Sequence, residues 1–144
     1  MVYLDTSFIA PLAIAEETSD SVETFVMTLL PGDLATSLWT RVELASLISR
    51  KRRMGELSDT QAEAVRRELA RLLEESFLLL VPTTADFALA ARYLETPASG
   101  LRAGDALHLA IAAGQGAETI LTLDAGFIRA GRLLHLPVAR GIMP

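Results

Sequence analysis

Apolar residues recur along the chain with two alternating spacings, one suited to strands and one to helices. Val2–Leu4 is a short β-prone run ending at Asp5, after which Thr6 or Ser7 offers an N-cap for an apolar segment through Ala15. Val22, Phe25, Val26 and Leu29 then mark one face of a helix over Ser21–Leu30 that Pro31-Gly32 stops, and Leu34–Thr36 reads as a second strand. Leu38, Val42, Ala45 and Ile48 keep helical register to Arg53, where Met54-Gly55 breaks it. Ser58 and Gln61 form a capping box for a long charged helix through about Glu75, so a helical hairpin is expected. Phe77–Val81, closed by Pro82, suits a strand buried on both faces. Thr84–Leu94 is another helix, and Thr96–Gly100 is a loop. Asp105 opens Ala106–Ala113, a helix apolar on all sides apart from His108. A strand over Thr119–Leu123 ending at Asp124, a short helix around Phe127 and a β-like piece over Leu136–Ala139 complete the pattern.

Strands alternating with helices predict an α/β fold in which a parallel sheet is covered on both faces through right-handed crossovers. At 144 residues, without a repeat, linker or low-complexity tract, the chain is expected to form one domain over 1–144. In such sheets the ligand crevice lies beyond the carboxyl ends of the strands, where Asp5 and Asp124 would both sit.

Composition narrows the chemistry. There is no cysteine, so disulfides, thiolate metal sites and a cysteine nucleophile are excluded. His108 and His135 form no H-E-x-x-H pair, no G-x-S-x-G elbow is present, and Lys51 follows Arg50 instead of the glycine of a Walker loop. Any chemistry therefore rests on carboxylates. The longest stretch free of Asp, Glu, Lys and Arg is Ala106–Ala117, too short for a span of about 20 apolar residues. No basic residue precedes Arg41, which argues against a secretory signal and for the cytoplasm. A hydrophobic content of 51% exceeds what one core of this size hides and suggests self-association or a partner face. The formal net charge of −5 argues against a generally basic nucleic-acid surface, yet the charge is uneven. Residues 1–40 hold six acids and no base, whereas Arg50, Lys51, Arg52 and Arg53 are consecutive.

Each candidate acid has a structural reading of its own. Asp5 is placed to cap the helix after it, Glu43 is placed in a capping box with Thr40, Asp105 favours a helix dipole, and Asp124 suits a turn with Ala125-Gly126. The Thr40 box is weakened because the apolar register already begins at Leu38. Judged together, four acids at the ends of separate elements beside one crevice would repel one another unless a cation neutralises them. Carboxylate oxygens without His or Cys suit Mg²⁺ or Mn²⁺ and not zinc. Two such ions would add four positive charges and bring the formal charge from −5 to −1. A metal pair of this kind would activate water and stabilise the leaving oxygen in phosphodiester displacement. Asp5, Glu43, Asp105 and Asp124 would be the ligands, directly or through water, with Thr6 and Thr122 orienting them.

These residues resemble the PIN-domain family, in particular its VapC-type toxins. The resemblance rests on Leu4-Asp5-Thr6-Ser7, Thr40-x-x-Glu43, the segment Leu101 to Ala110 around Gly104-Asp105-Ala106, and Thr122-x-Asp124-x-x-Phe127. It implies a three-layer α/β/α sandwich, a homodimer, an Mg²⁺- or Mn²⁺-dependent endoribonuclease acting on RNA, and a neutralising antitoxin protein. It also puts positions 5, 43, 105 and 124 on the family's catalytic acids, with Gly126 where many members carry another acid, and so a leaner second metal site. Arg50, Arg53 and Arg102 are candidate RNA phosphate contacts, against the reading that the basic run merely offsets a helix dipole. His108, Trp39 and Phe8 read as core residues first. Two other classes remain: a non-catalytic RNA- or protein-binding module that keeps the fold, and a receiver-type phosphoacceptor, which would need a lysine at a strand end where Lys51 is not.

Overall fold

The computed structural model describes residues 1–143. Five parallel strands, β1 (Val2–Leu4), β2 (Leu34–Ser37), β3 (Leu78–Leu80), β4 (Thr119–Leu121) and β5 (Val138–Ala139), pair in the order β3-β2-β1-β4-β5. Strand alternation sends neighbouring side chains to opposite faces and so feeds two cores. Leu4, Leu34 and Leu121 pack with Phe8, Val22, Ile48 and Leu69, beneath α1 (Thr6–Ile9), α2 (Ser19–Val26), α3 (Leu38–Arg53) and α4 (Asp59–Ser76). Tyr3, Ala35 and Ile120 pack on the other face with Leu109, Ile111 and Phe127, from α6 (Ala103–Gly114) and α7 (Ala125–Leu133). Helix α5 (Thr84–Leu94) contributes Ala90 to the same layer. The result is the three-layer α/β/α arrangement that the resemblance implied.

Helix α4 begins at the expected box, with Gln61 N donating to Ser58 Oγ at 3.1 Å and Ser58 N donating to Gln61 Oε1 at 2.9 Å. Helix α6 buries every residue from Ala106 to Ala112, as its apolar circumference requires. Among the described residues, no helix is long and apolar enough to cross a membrane.

Two expectations are corrected, the extent of the first helix and the burial of the third strand. The first helix ends at Ile9 and continues only as a 3₁₀ turn over Ala10–Leu12, because Pro11 has no N–H to extend it. Its N-cap is Asp5, not Thr6 or Ser7. Strand β3 lies at the sheet edge, so Leu78 is 57% exposed and Val81 64%, and the run is not buried on both faces. The Thr40 box is absent, as the register from Leu38 implied: α3 starts at Leu38, and buried Thr40 bonds to Thr36 Oγ1 at 2.7 Å.

The strand order reverses between β1 and β4, since the chain builds outward to β2 and β3 and then returns to the other side. This switch point opens a crevice at the carboxyl edge.

Candidate active site

The four candidate carboxylates reach that crevice from four different elements, and Glu16 is a fifth acid on its lining. Asp5 ends β1, Glu43 lies on the second turn of α3, Asp105 is in the first turn of α6, and Asp124 follows β4. All four line one cavity of about 660 Å³, together with Thr6, Ser7 and His108. Arg50, Arg102 and Arg140 line it too.

Asp5 is buried and held on both oxygens. Ser7 Oγ and the Phe8 amide donate to Oδ1 at 2.7 and 3.0 Å, and Thr122 Oγ1 donates to Oδ2 at 2.6 Å. Burial raises its carboxyl above the usual range, opposed by attraction to His108 and by these donors. Thr122 itself is fully buried beneath the crevice. Asp124 caps α7, its Oδ1 accepting from Gly126 N at 2.6 Å and Phe127 N at 2.9 Å.

Glu43 is fixed through Oε2, which accepts from the Thr6 hydroxyl and lies 2.6 Å from His108 Nε2. A carboxylate only accepts, so Nε2 carries the shared proton. On the far side of the ring, Nδ1 lies 2.7 Å from the Tyr3 hydroxyl, which donates to Ser37 Oγ at 3.0 Å. Burial works to raise the Glu43 carboxyl, but the hydrogen bond and charge of His108, with Thr6, outweigh it and leave it below the usual range. Asp105 has no such support and accepts no side-chain or backbone hydrogen bond among the described residues. Burial, then the charges of Asp124 and Asp5, push its carboxyl up to about 6.

His108 is a core residue, as its apolar helix implied, with a further role that sequence reasoning did not see. Its ring packs between Tyr3 and Phe127 and also clamps Glu43. The available signal was a single polar side chain in an otherwise apolar helix. Ser7 and Arg140 were also missed as crevice residues, and Gly104 was seen only within a motif. A Cβ at Gly104 would stand 2.6 Å from Glu43 Oε1, so only glycine lets α6 approach the carboxylate this closely. Arg53 is not brought to the crevice; its guanidinium donates to Ser49 Oγ at 2.9 Å.

The donor set consists of carboxylate oxygens, which fits a hard divalent ion. Asp105 and Asp124 Oδ2 retain acceptor capacity facing the crevice. Among the described residues, no three His, Asp or Glu side chains stand ready to hold an ion as a closed cage. An ion that keeps several waters and takes few direct carboxylates, as Mg²⁺ does, needs no such cage.

A family model described as PIN domain matches residues 2–133. No sequence among the curated proteins matches the chain. Among solved structures it is similar to VapC20 of Mycobacterium tuberculosis, a Sarcin-Ricin loop cleaving toxin, with 19% identity, a TM-score of 0.70, and coverage of 91% of this chain and 95% of that one. It is similar to VapBC-1 from nontypeable Haemophilus influenzae, with 20% identity, a TM-score of 0.69 and 98% of each chain covered. VapBC2 from Rickettsia felis, solved bound to a DNA fragment from its promoter, shares 17% identity with a TM-score of 0.70, covering 96% of this chain and 98% of that one.

Proposed function

The chain belongs to the PIN-domain family, and from that premise we propose that it is an Mg²⁺- or Mn²⁺-dependent endoribonuclease, the toxin of a toxin–antitoxin pair. The observation that carries this reading is the meeting of Asp5, Glu43, Asp105 and Asp124 in one crevice, each from a separate element at the switch point. Asp5 and Asp124 also cap helices, but capping does not require four acids to meet, and their mutual repulsion suits them to hold divalent cations. A bound divalent ion would supply an activated water and neutralise charge at the phosphate under attack.

The chain's own residues set the geometry. Ser7, Thr122 and the Phe8 amide fix Asp5, while His108 and Thr6 fix Glu43, each leaving lone pairs toward the crevice. Asp105 and Asp124 complete the ligand set. Arg50 and Arg102 offer guanidinium forks to phosphate oxygens of RNA. Single-stranded or looped RNA is the favoured substrate, because unstacked strands fit an open crevice. An antitoxin partner is inferred from the VapBC proteins among the structural neighbours. A homodimer would cover exposed apolar residues such as Val42 and Phe87.

The test is cleavage of total cellular RNA by antitoxin-free protein in Mg²⁺ or Mn²⁺, against EDTA and against Asp5→Asn. Discrete fragments that require both metal and Asp5 are expected. Folded, metal-loaded protein that leaves varied RNAs intact would favour a non-catalytic binding module instead.

A further inference from the structure

Three arginines face the crevice, and none of them pairs with a carboxylate among the described residues. Arg50 and Arg102 are exposed, and their head groups meet water freely. Arg140 differs. Its side chain is half-buried, and its Nε is shut off from solvent with no hydrogen-bond partner. Its Nε is closed to any incoming acceptor, whereas its two terminal nitrogens are not shut off and make no hydrogen bond among the described residues, so they are the donors this arginine can offer at the crevice.

The backbone holds Arg140 in place from both sides. Before it, Thr122 N donates to Ala139 O at 3.1 Å, tying the end of β5 to the strand that leads to Asp124. After it, Gly141 turns with φ +78 at a point where a Cβ would press on Leu121 and Phe25 at 3.1 Å, and Ile142 is buried in the core. The sheet order then fixes its place relative to the acids. Glu43 and Arg50 come from the helix that follows β2, Asp5 and Asp124 follow the central strands β1 and β4, and Arg140 follows the edge strand β5. Cations therefore flank the row of carboxylates at both ends.

We propose that Arg140 binds a phosphate of the RNA strand on the β5 side of the scissile linkage, so that the strand crosses the crevice between Arg50 and Arg140 with the acids beneath it. The inference rests on the ribonuclease reading. A half-buried guanidinium whose stem is fixed and whose terminal nitrogens remain open suits the oxygens of a phosphate. An alternative role, offsetting repulsion among the acids, would act on stability and not on RNA.

The experiment measures binding of a short fluorescein-labelled single-stranded oligoribonucleotide by anisotropy over a range of KCl, in an Asp5→Asn background with Mg²⁺. Arg140→Gln is expected to weaken binding roughly tenfold and to reduce the slope of log K against log salt by about 0.7, the loss of one phosphate contact on a single strand. Arg140→Lys should keep the slope and recover only part of the affinity, because it retains charge without the fork. Arg66→Gln on the exposed face of α4 serves as the control. Wild-type cleavage of the same RNA together with unchanged affinity and slope for Arg140→Gln would overturn the arginine assignment alone. Failure of wild type to cleave, with no binding by the Asp5→Asn protein, would overturn the ribonuclease reading and this inference with it.

Discussion

Truncation of His108 to alanine separates a positioning role from a packing one. The ring is fully buried, with its centroid 5.8 Å from that of Tyr3 and 6.4 Å from that of Phe127, and it bridges Tyr3 to Glu43 through its two nitrogens. Removing a buried ring of this size costs about 2–4 kcal/mol in transfer and cavity terms. Loss of the charge-assisted bond to Glu43 is worth about 1.5–3 kcal/mol, partly counted already in the first figure. The expected total is about 3–5 kcal/mol, survivable for a domain of ordinary stability near 5–15 kcal/mol. Without the ring, Glu43 Oε2 keeps only the Thr6 hydroxyl, and Mg²⁺ affinity should fall about 10–100-fold, as when the partner of a metal ligand is removed. His108→Gln places an amide donor near the lost Nε2 and should restore most of the metal affinity while regaining only part of the stability. Urea denaturation in EDTA reads the first quantity, and calorimetric titration with Mg²⁺ reads the second. A folded His108→Ala protein with wild-type Mg²⁺ affinity and wild-type cleavage would refute the clamp.

Asp5→Asn should abolish cleavage and also the stabilisation by Mg²⁺, which for wild type reaches about 2.7 kcal/mol at 100 times the dissociation constant; a metal-induced shift in urea midpoint that survives the substitution would remove Asp5 from the site. Gly104→Ala drives a methyl against Glu43 Oε1 while His108 and Thr6 hold the other oxygen, so cleavage should drop at least about tenfold with little change in urea stability. Wild-type turnover in that variant would show that the carboxylate moves aside freely. In EDTA, folding stability should decline as pH rises through about 6, because folded Asp105 titrates at about 6 against about 3.9 unfolded. Its contribution is fully present below about pH 4 and is gone once the folded group ionises. After discounting for partial exposure it amounts to about 1–1.5 kcal/mol, and an Asp105→Asn profile that still declines equally would assign the loss elsewhere.

The fold was legible because each element carries its own local signal. Ser58 and Gln61 start α4, the apolar circumference of Ala106–Ala112 buries α6, and alternation at Tyr3-Leu4 and Ile120-Leu121 feeds two cores. What periodicity does not encode is which strand lies at an edge. Leu78–Leu80 has the composition of a central strand, and only the order of pairing exposes it. Four acids at element ends predicted a shared crevice, and the structure places all four there. The partners that hold them were harder to see, since Thr6 to Glu43, His108 to Glu43 and Thr122 to Asp5 are 37, 65 and 117 residues apart. Arg53 shows the opposite failure, a residue in the right run of charge that the helix turns away from the cavity.

The four acids are not equivalent, and the difference bears on how the site would take up an ion. Asp5 and Glu43 are pinned by side chains that are themselves held, so their oxygens are oriented before any cation arrives. Asp105 accepts no hydrogen bond among the described residues, and burial, then the charges of its acidic neighbours, hold its proton more tightly than usual. A divalent ion must therefore displace that proton, and its binding will strengthen as pH rises through the same range in which the metal-free protein loses stability. The two effects share one cause, the burial of Asp105 among other acids. Measured together on wild type and Asp105→Asn, they should vanish together; if Mg²⁺ affinity keeps its pH dependence after Asp105 is neutralised while stability loses it, the proton released on binding comes from another group.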